Sequence, residues 1–264
     1  MTTRTRDRAR TPRRAGFGVD PGYLYLEIRR ALRAPGTLLF TIGFPAGFYL
    51  LEVMLFTDVA GGDPSAGDFP RTVMVGMAAW GVMTAGLLIG TRVVNERVAG
   101  WQRQLRLTPL SGFGYLVGKV AVAMAVALPT AIVVPVVAVV LEGVRLDLSG
   151  WVHVTLFIWL GALPFAVLGL LIGQVATKDN VQNFVIMAML LLAMFGGLFM
   201  PLEMLPSWWN DIAAFVPSYW LAELGRAGIL PGRSPGTAAL ILLGWTVALS
   251  CAVVWRYRRD SART

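Results

Sequence analysis

The run VAVAMAVALPTAIVVPVVAVVL, Val120–Leu141, decides the fold. It carries no charge, its one polar side chain is Thr130, and apolar and polar positions do not alternate along it. As a helix it reaches about 33 Å, enough to cross the ~30 Å hydrocarbon core of a bilayer. Inside hydrocarbon every backbone N–H and C=O must be bonded within the protein, so only helices and closed barrels cross. A barrel strand needs the period-2 pattern that this run lacks. Similar runs occur at 37–56, 72–91, 151–176, 181–200 and 237–255. The reading is an all-α integral membrane protein with six transmembrane helices.

Composition points the same way. Of 264 residues 56% are hydrophobic and 14% charged, against about 25% charged in soluble domains. An ordinary soluble enzyme and a disordered chain are both excluded. The net charge of +8 comes from 23 basic residues, and only Lys119 and Lys178 among them are lysine. Nineteen of the 23 fall before the first run, between the second and third, between the fourth and fifth, or after the last. Arg71, Arg145, Arg226 and Arg233 fall in the other connections. The positive-inside rule therefore places both termini in the cytoplasm, and the charge reads as a topology signal rather than a nucleic-acid surface. Cys251 and His153 are single copies, so no intrachain disulfide forms and a Cys/His metal site has almost no ligands. The first run begins too late and is too long for a cleaved signal peptide.

Residues 1–19 read as a disordered, Arg-rich cytoplasmic leader, and 20–264 as one six-span domain. Asp20-Pro21 opens a helix with Leu24, Ile28, Ala31 and Leu32 on one face and Arg29, Arg30 and Arg33 on the other, suited to the membrane surface. Ala34-Pro35-Gly36 separates it from the first span. The connection from Arg92 to Leu110 is the most polar interior stretch; helix-forming residues run to Leu107, and Pro109 stops them, giving either a short projecting helix or a basic loop that binds anionic lipid. The connection Pro201–Gly236 holds two short apolar helices, Ser207–Phe215 and Ser218–Ile229. Trp208, Trp209, Tyr219 and Trp220 in it form an outer aromatic belt or a gate over an exit. Gly-Leu-Leu-Ile-Gly occurs twice, at Gly86–Gly90 and Gly169–Gly173, and small residues four apart let helices approach closely.

The chain lacks a nucleotide-binding loop: Gly118-Lys119-Val120 has no glycine at the right upstream spacing and no hydroxyl after the lysine. Glu52 is the one carboxylate inside a run, at a cost of about 2.5–3.5 kcal/mol on insertion scales, unless its place near the outer end of the helix lets the side chain reach water. With Met77, Met83, Gln174, Gln182, Asn183, Met187 and Met194 it makes a candidate pathway for a lipophilic or amphiphilic solute. A membrane-embedded enzyme built on His153 is the competing class, but nothing places Ser or Asp beside it.

The stretch Arg97-Val-Ala-Gly100-Trp101-Gln-Arg103-Gln-Leu105-Arg106-Leu107-Thr108-Pro109-Leu110, with Tyr115 and Gly118-Lys119 after it, resembles the cytoplasmic signature of ABC-2 type transporter permeases. Phe195-Gly196-Gly197 through Pro201, then Leu205-Pro206-Ser207-Trp208 and Pro217, is similar to the external segment of that family. The likeness runs from Tyr23 to Arg256 and is nearest to the daunorubicin-resistance-like drug-export branch. It implies an exporter of a drug-like compound in the bacterial plasma membrane, with two permease subunits, identical or sibling. Two copies of a separate cytoplasmic ATPase would hold the ATP and Mg²⁺, leaving no cofactor in this chain. Glu96, Arg97, Gly100, Trp101, Arg103, Leu105, Arg106 and Leu107 would then form the coupling helix on the ATPase. Tyr23–Arg33 would be the amphipathic helix and Trp208–Ile229 the external re-entrant helices. Export of a lipid-linked glycan is the alternative cargo. Cysteines placed at Asp63, Ser149 and Arg233 are expected to react with impermeant reagent on intact cells, and those at Gln102 and Lys178 only after permeabilisation. Outside labelling at Gln102 inverts the topology.

Overall fold

The computed structural model describes residues 21–60, 68–100, 112–199, 206–230 and 232–261; the Arg-rich leader at 1–19 lies outside them. Every regular element among the described residues is helical. Helix α1, Pro21–Leu32, precedes four membrane-length segments: α2 at Pro35–Phe56, α3 at Phe69–Val98, α4 at Gly112–Leu141 and α5 at Leu148–Val175. After them come α6 at Val181–Phe195, the short α7 at Ser207–Ala213 and α8 at Pro217–Arg226, and a fifth membrane-length segment, α9, at Pro235–Arg259. Among the described residues five helices are long and apolar enough to span, which makes the molecule a multi-pass membrane protein.

The centre of the bundle is α3. It packs against α4, α5 and α2, with α8 and α6 also against it, and almost none of it is exposed. By contrast α2 and α9 lie mostly on the outside. The α3–α5 contact is made by the repeated pentapeptide. A Cβ on Gly90 would sit 2.7 Å from the Gly169 carbonyl oxygen, and one on Gly169 would sit 2.6 Å from that of Gly86. A Cβ on Gly173 would come within 2.9 Å of the Gly90 carbonyl. The two copies of the motif therefore face each other, backbone against backbone, as small residues in membrane helices permit.

The break at Ala34 is as expected: its extended φ −85°, ψ 98° follows from the proline after it. The apolar face of α1 is not left for the membrane surface, however. Ala31 is buried and Leu24, Ile28 and Leu32 pack on the core, against α4, while Tyr25, Leu26, Arg29, Arg30 and Arg33 face outward. Within α2 a π turn runs over Leu39–Gly43, and another, Val152–Phe157, lies in α5. Pro45 has no N–H for the Thr41 carbonyl one turn back, and Thr130 Oγ1 of α4 donates to that carbonyl at 3.1 Å.

The fifth apolar run differs from expectation. It was read as a span over 181–200, but α6 stops at Phe195 after 15 residues, about 22 Å. The cause is Gly196-Gly197. Gly197 takes φ +63°, its N–H donates to the Met194 carbonyl, and the Leu198 N–H donates to that of Ala193. Those two bonds are a Schellman termination, which needs a left-handed residue and so favours glycine. Short as it is, α6 packs against α3. It starts beside the end of α5, and Leu198 reaches Gly76 near the opposite end of α3, where a Cβ would come within 2.3 Å of the Leu198 carbonyl oxygen.

The glycine contact yields a direct test. Gly169→Val is expected to cost about 1–3 kcal/mol by overpacking, seen as a lower unfolding midpoint in detergent. Gly47→Val, where a Cβ meets nothing within 4 Å, leaves the midpoint unchanged.

Candidate coupling site

At the end of the bundle that bears α1, three helices meet on one buried ammonium. Lys119 sits two turns into α4 with its side chain wholly inaccessible. Its Nζ donates to Glu27 Oε2 of α1 at 2.7 Å and to Glu96 Oε1 of α3. Glu96 is not free to move away, because Tyr115 Oη donates to its Oε2 at 2.8 Å. The rings of Tyr115 and Tyr23 lie 5.3 and 5.9 Å from Nζ, within cation–π range. Burial among these groups pushes the Tyr23 phenol up, against the pull of Lys119. A cation with both carboxylates and two aromatic faces around it is compensated; any partner removed leaves a buried charge exposed to its desolvation cost.

One residue further on, Arg97 makes the second tie. Its Nη1 donates to the Gln174 carbonyl at 2.7 Å and its Nη2 to the Ala176 carbonyl. These are carbonyls of the last turn of α5, where a cation also opposes the helix dipole. Glu96 and Arg97 therefore spend their side chains inside the chain. They also belong to the last turn of α3. The Ala99 N–H closes on Asn95, the Gly100 N–H closes on Arg97, and Gly100 turns the chain away at φ +71°. Trp101, Arg103, Leu105, Arg106 and Leu107, and with them Gln102, lie outside the described residues.

The solute pathway expected from sequence is not gathered in one place. Met77 and Met83 are buried core side chains of α3. Gln174 is buried near the end of α5 with neither amide atom hydrogen-bonded. Gln182, Asn183, Met187 and Met194 are exposed on α6. Glu52 is half-buried on α2, and its Oε2 is inaccessible and without a hydrogen-bond partner.

The opposite end has its own polar anchor. Arg226, buried at the end of α8, donates from Nη1 to Glu223 Oε1 at 3.1 Å and from Nη2 to the Gly197 carbonyl at 3.2 Å. Arg233 donates to the same Glu223, and Ser218 Oγ to the Leu192 carbonyl. The Glu223–Arg226 spacing of three, visible in the sequence, is a real pair. Trp209 stacks on Phe195 at 5.2 Å, and Trp208 is exposed beside it. Trp220 Nε1 donates to the Ala214 carbonyl at 2.8 Å, with Tyr219 edge-on at 5.0 Å.

Sequence reasoning missed the Lys119 cluster. Lys119 entered as a failed phosphate-binding lysine, and Glu27 was not singled out. The available signal was a lysine between Gly118 and Val120 in an apolar helix, which needs a buried counter-charge from elsewhere in the chain.

The ABC-2 type transporter family matches residues 24–230. The chain belongs to that family. A relative described as "Putative transport permease YvfS", from Bacillus subtilis (strain 168), is 30% identical over 222 residues, which is 82% of this chain and 87% of the relative. The ABC-2 match begins within α1 and runs just past α8, so it takes in Glu27, Glu96, Tyr115 and Lys119 and the Glu223–Arg226 pair, with Tyr23 and Arg233 just outside it. The chain is accordingly a transmembrane permease component of a transporter.

Lys119→Ala is expected to cost about 3 kcal/mol, because Glu27 and Glu96, both only partly exposed, would lose the buried cation they share. The unfolding midpoint in detergent reads this loss. Adding Glu27→Gln and Glu96→Gln to the same chain recovers most of it.

Proposed function

We propose that this permease is half of the membrane part of an ATP-driven exporter in a bacterial plasma membrane, moving a lipophilic or amphiphilic compound. The observation that carries the reading is the Lys119 cluster. It makes α1, the end of α3 and the start of α4 a single mechanical unit beside residues 101–111. A push on that connection from an ATPase would reach three helices together. Two permease chains and two ATPase copies, with ATP and Mg²⁺ on the ATPase, complete the assembly.

The charge distribution supports a cytoplasmic position for that end. Arg29, Arg30, Arg33, Arg92, Arg97, Lys119, Lys178, Arg256, Arg258 and Arg259 belong to it, as the positive-inside rule requires. Six crossings follow if α6, short as it is, counts as the fifth, and α7 and α8 then lie at the outer face as re-entrant elements and gate. Glu96 and Arg97 transmit rather than touch the ATPase, so docking falls to Trp101 with Leu105 and Leu107, or to Arg103 and Arg106. A second cargo, a lipid-linked glycan, draws support from the exposed rings of Phe40 and Phe44 on α2.

Co-purification with the ATPase tests the reading. Trp101→Ala is expected to leave the permease inserted but to weaken ATPase capture by about 2 kcal/mol, roughly 30-fold, as for a buried aromatic anchor. Full capture and transport by that variant, with loss on neutralising Arg103 and Arg106, would make the connection a lipid-binding loop instead.

A further inference from the structure

The face of α2 next to α3 carries an aromatic stripe that ends in a carboxyl group, and neither feature is absorbed by the coupling site. Phe40, Phe44, Phe48 and Glu52 recur every four residues. Phe44 and Phe48 stack at 5.4 Å, and Phe40 lies 6.0 Å from Phe44. Trp80 of α3 backs the stripe at 4.7 Å from Phe44 and 5.6 Å from Phe40, and Phe199 joins it at 5.7 Å from Phe48. These rings are not sealed inside the bundle: Phe40 is 41% exposed and Phe44 39%. One turn beyond Phe48 stands Glu52, whose buried Oε2 accepts no hydrogen bond, and the Trp80 Nε1 donor is buried and unmatched as well.

Lipid contact explains exposed phenylalanine. It does not explain a carboxyl oxygen turned away from water at the end of the same row, since a lone buried acid is costly where no partner meets it. A ligand with a flat or bulky apolar body and one positive charge satisfies both features at once. Its body lies on the rings, which attract cations through their faces, and its charge meets Glu52. A phosphate-linked lipid fits the rings equally well but sets like charge against Glu52. We propose that the stripe and Glu52 form a binding site for a lipophilic monocation, which is the cargo class of the exporter. This rests on the exporter reading for transport, though not for binding.

The test uses the full-length permease in nanodiscs, without ATPase, and three probes: tetraphenylphosphonium, its near-isosteric anion tetraphenylborate, and undecaprenyl phosphate. Tetraphenylphosphonium is expected to bind and to quench tryptophan fluorescence. Glu52→Gln weakens that binding about tenfold through loss of the charge pair, and Phe44→Ala weakens it independently. Equal binding by wild type and Glu52→Gln overturns the proposal. So does tighter binding of tetraphenylborate or undecaprenyl phosphate. A Glu52→Gln chain that falls from dimer to monomer also overturns it, because the stripe would then be a subunit contact. If an ATPase pairs with the permease and drives only neutral or anionic cargo, the site fails while the exporter stands. If the cation binds through Glu52 and no ATPase pairs, the exporter fails while the site stands.

Discussion

Everything in this bundle is arranged around a helix with no side left for lipid. Because α3 is enclosed, each neighbour must find room on it, and the room is made by glycine. Gly86 and Gly90 admit α5, Gly81 admits α2 and α4, and Gly76 admits the terminated end of α6. In water such contacts would follow from apolar burial. In hydrocarbon that driving force between helices is absent, and close van der Waals approach takes its place. The enclosed helix therefore fixes the positions of its neighbours, and both polar anchors lie close to its two ends. At one, Glu96 of α3 is itself a member; at the other, Gly225 on α8 packs on Val75 one residue before the Arg226 guanidinium.

The two anchors solve the same problem in different ways. Lys119 is a point charge on a flexible stem, and it is held by carboxylates from two helices with a tyrosine steadying one of them. Arg226 is a planar fork that reaches a carboxylate on its own helix and a backbone carbonyl freed by the end of α6. The first ties three helices side by side. The second hangs a short helix from the terminus of another, through the Arg226 bond to the Gly197 carbonyl and the Ser218 hydroxyl bond to the Leu192 carbonyl.

The parts legible in sequence were those set by local composition. Apolar runs gave the membrane-length helices, the Ala34-Pro35 break and the short helices α7 and α8 fell close to their expected places, and the pentapeptide echo pointed to close packing. What failed depended on who meets whom. Gly196-Gly197 is apolar enough to read as span, yet its left-handed turn ends α6. The Leu24–Leu32 face of α1 looks fit for a membrane surface and instead covers α4. Met77 and Met83 have the composition of an adaptable lining and are core. Glu96 and Arg97 look like exposed charges until Lys119, 23 residues away, and the end of α5, about 80 residues away, are brought to them. The stretch 101–111 stands outside the comparison.

The π turn at Leu39–Gly43 has a geometric consequence for the part of α2 that follows it. A π turn holds one more residue than the α-helix it interrupts, so it acts as a phase shifter in the helical screw. Converting it to regular helix by losing one residue would rotate everything beyond it by about 100° about the helix axis. Phe44, Phe48 and Glu52 would swing off the flank beside Trp80, while Pro35–Leu38 would stay in register with α1. The direction in which that row looks is thus encoded five residues before its second ring, in a segment that contains only Phe40 of the row itself.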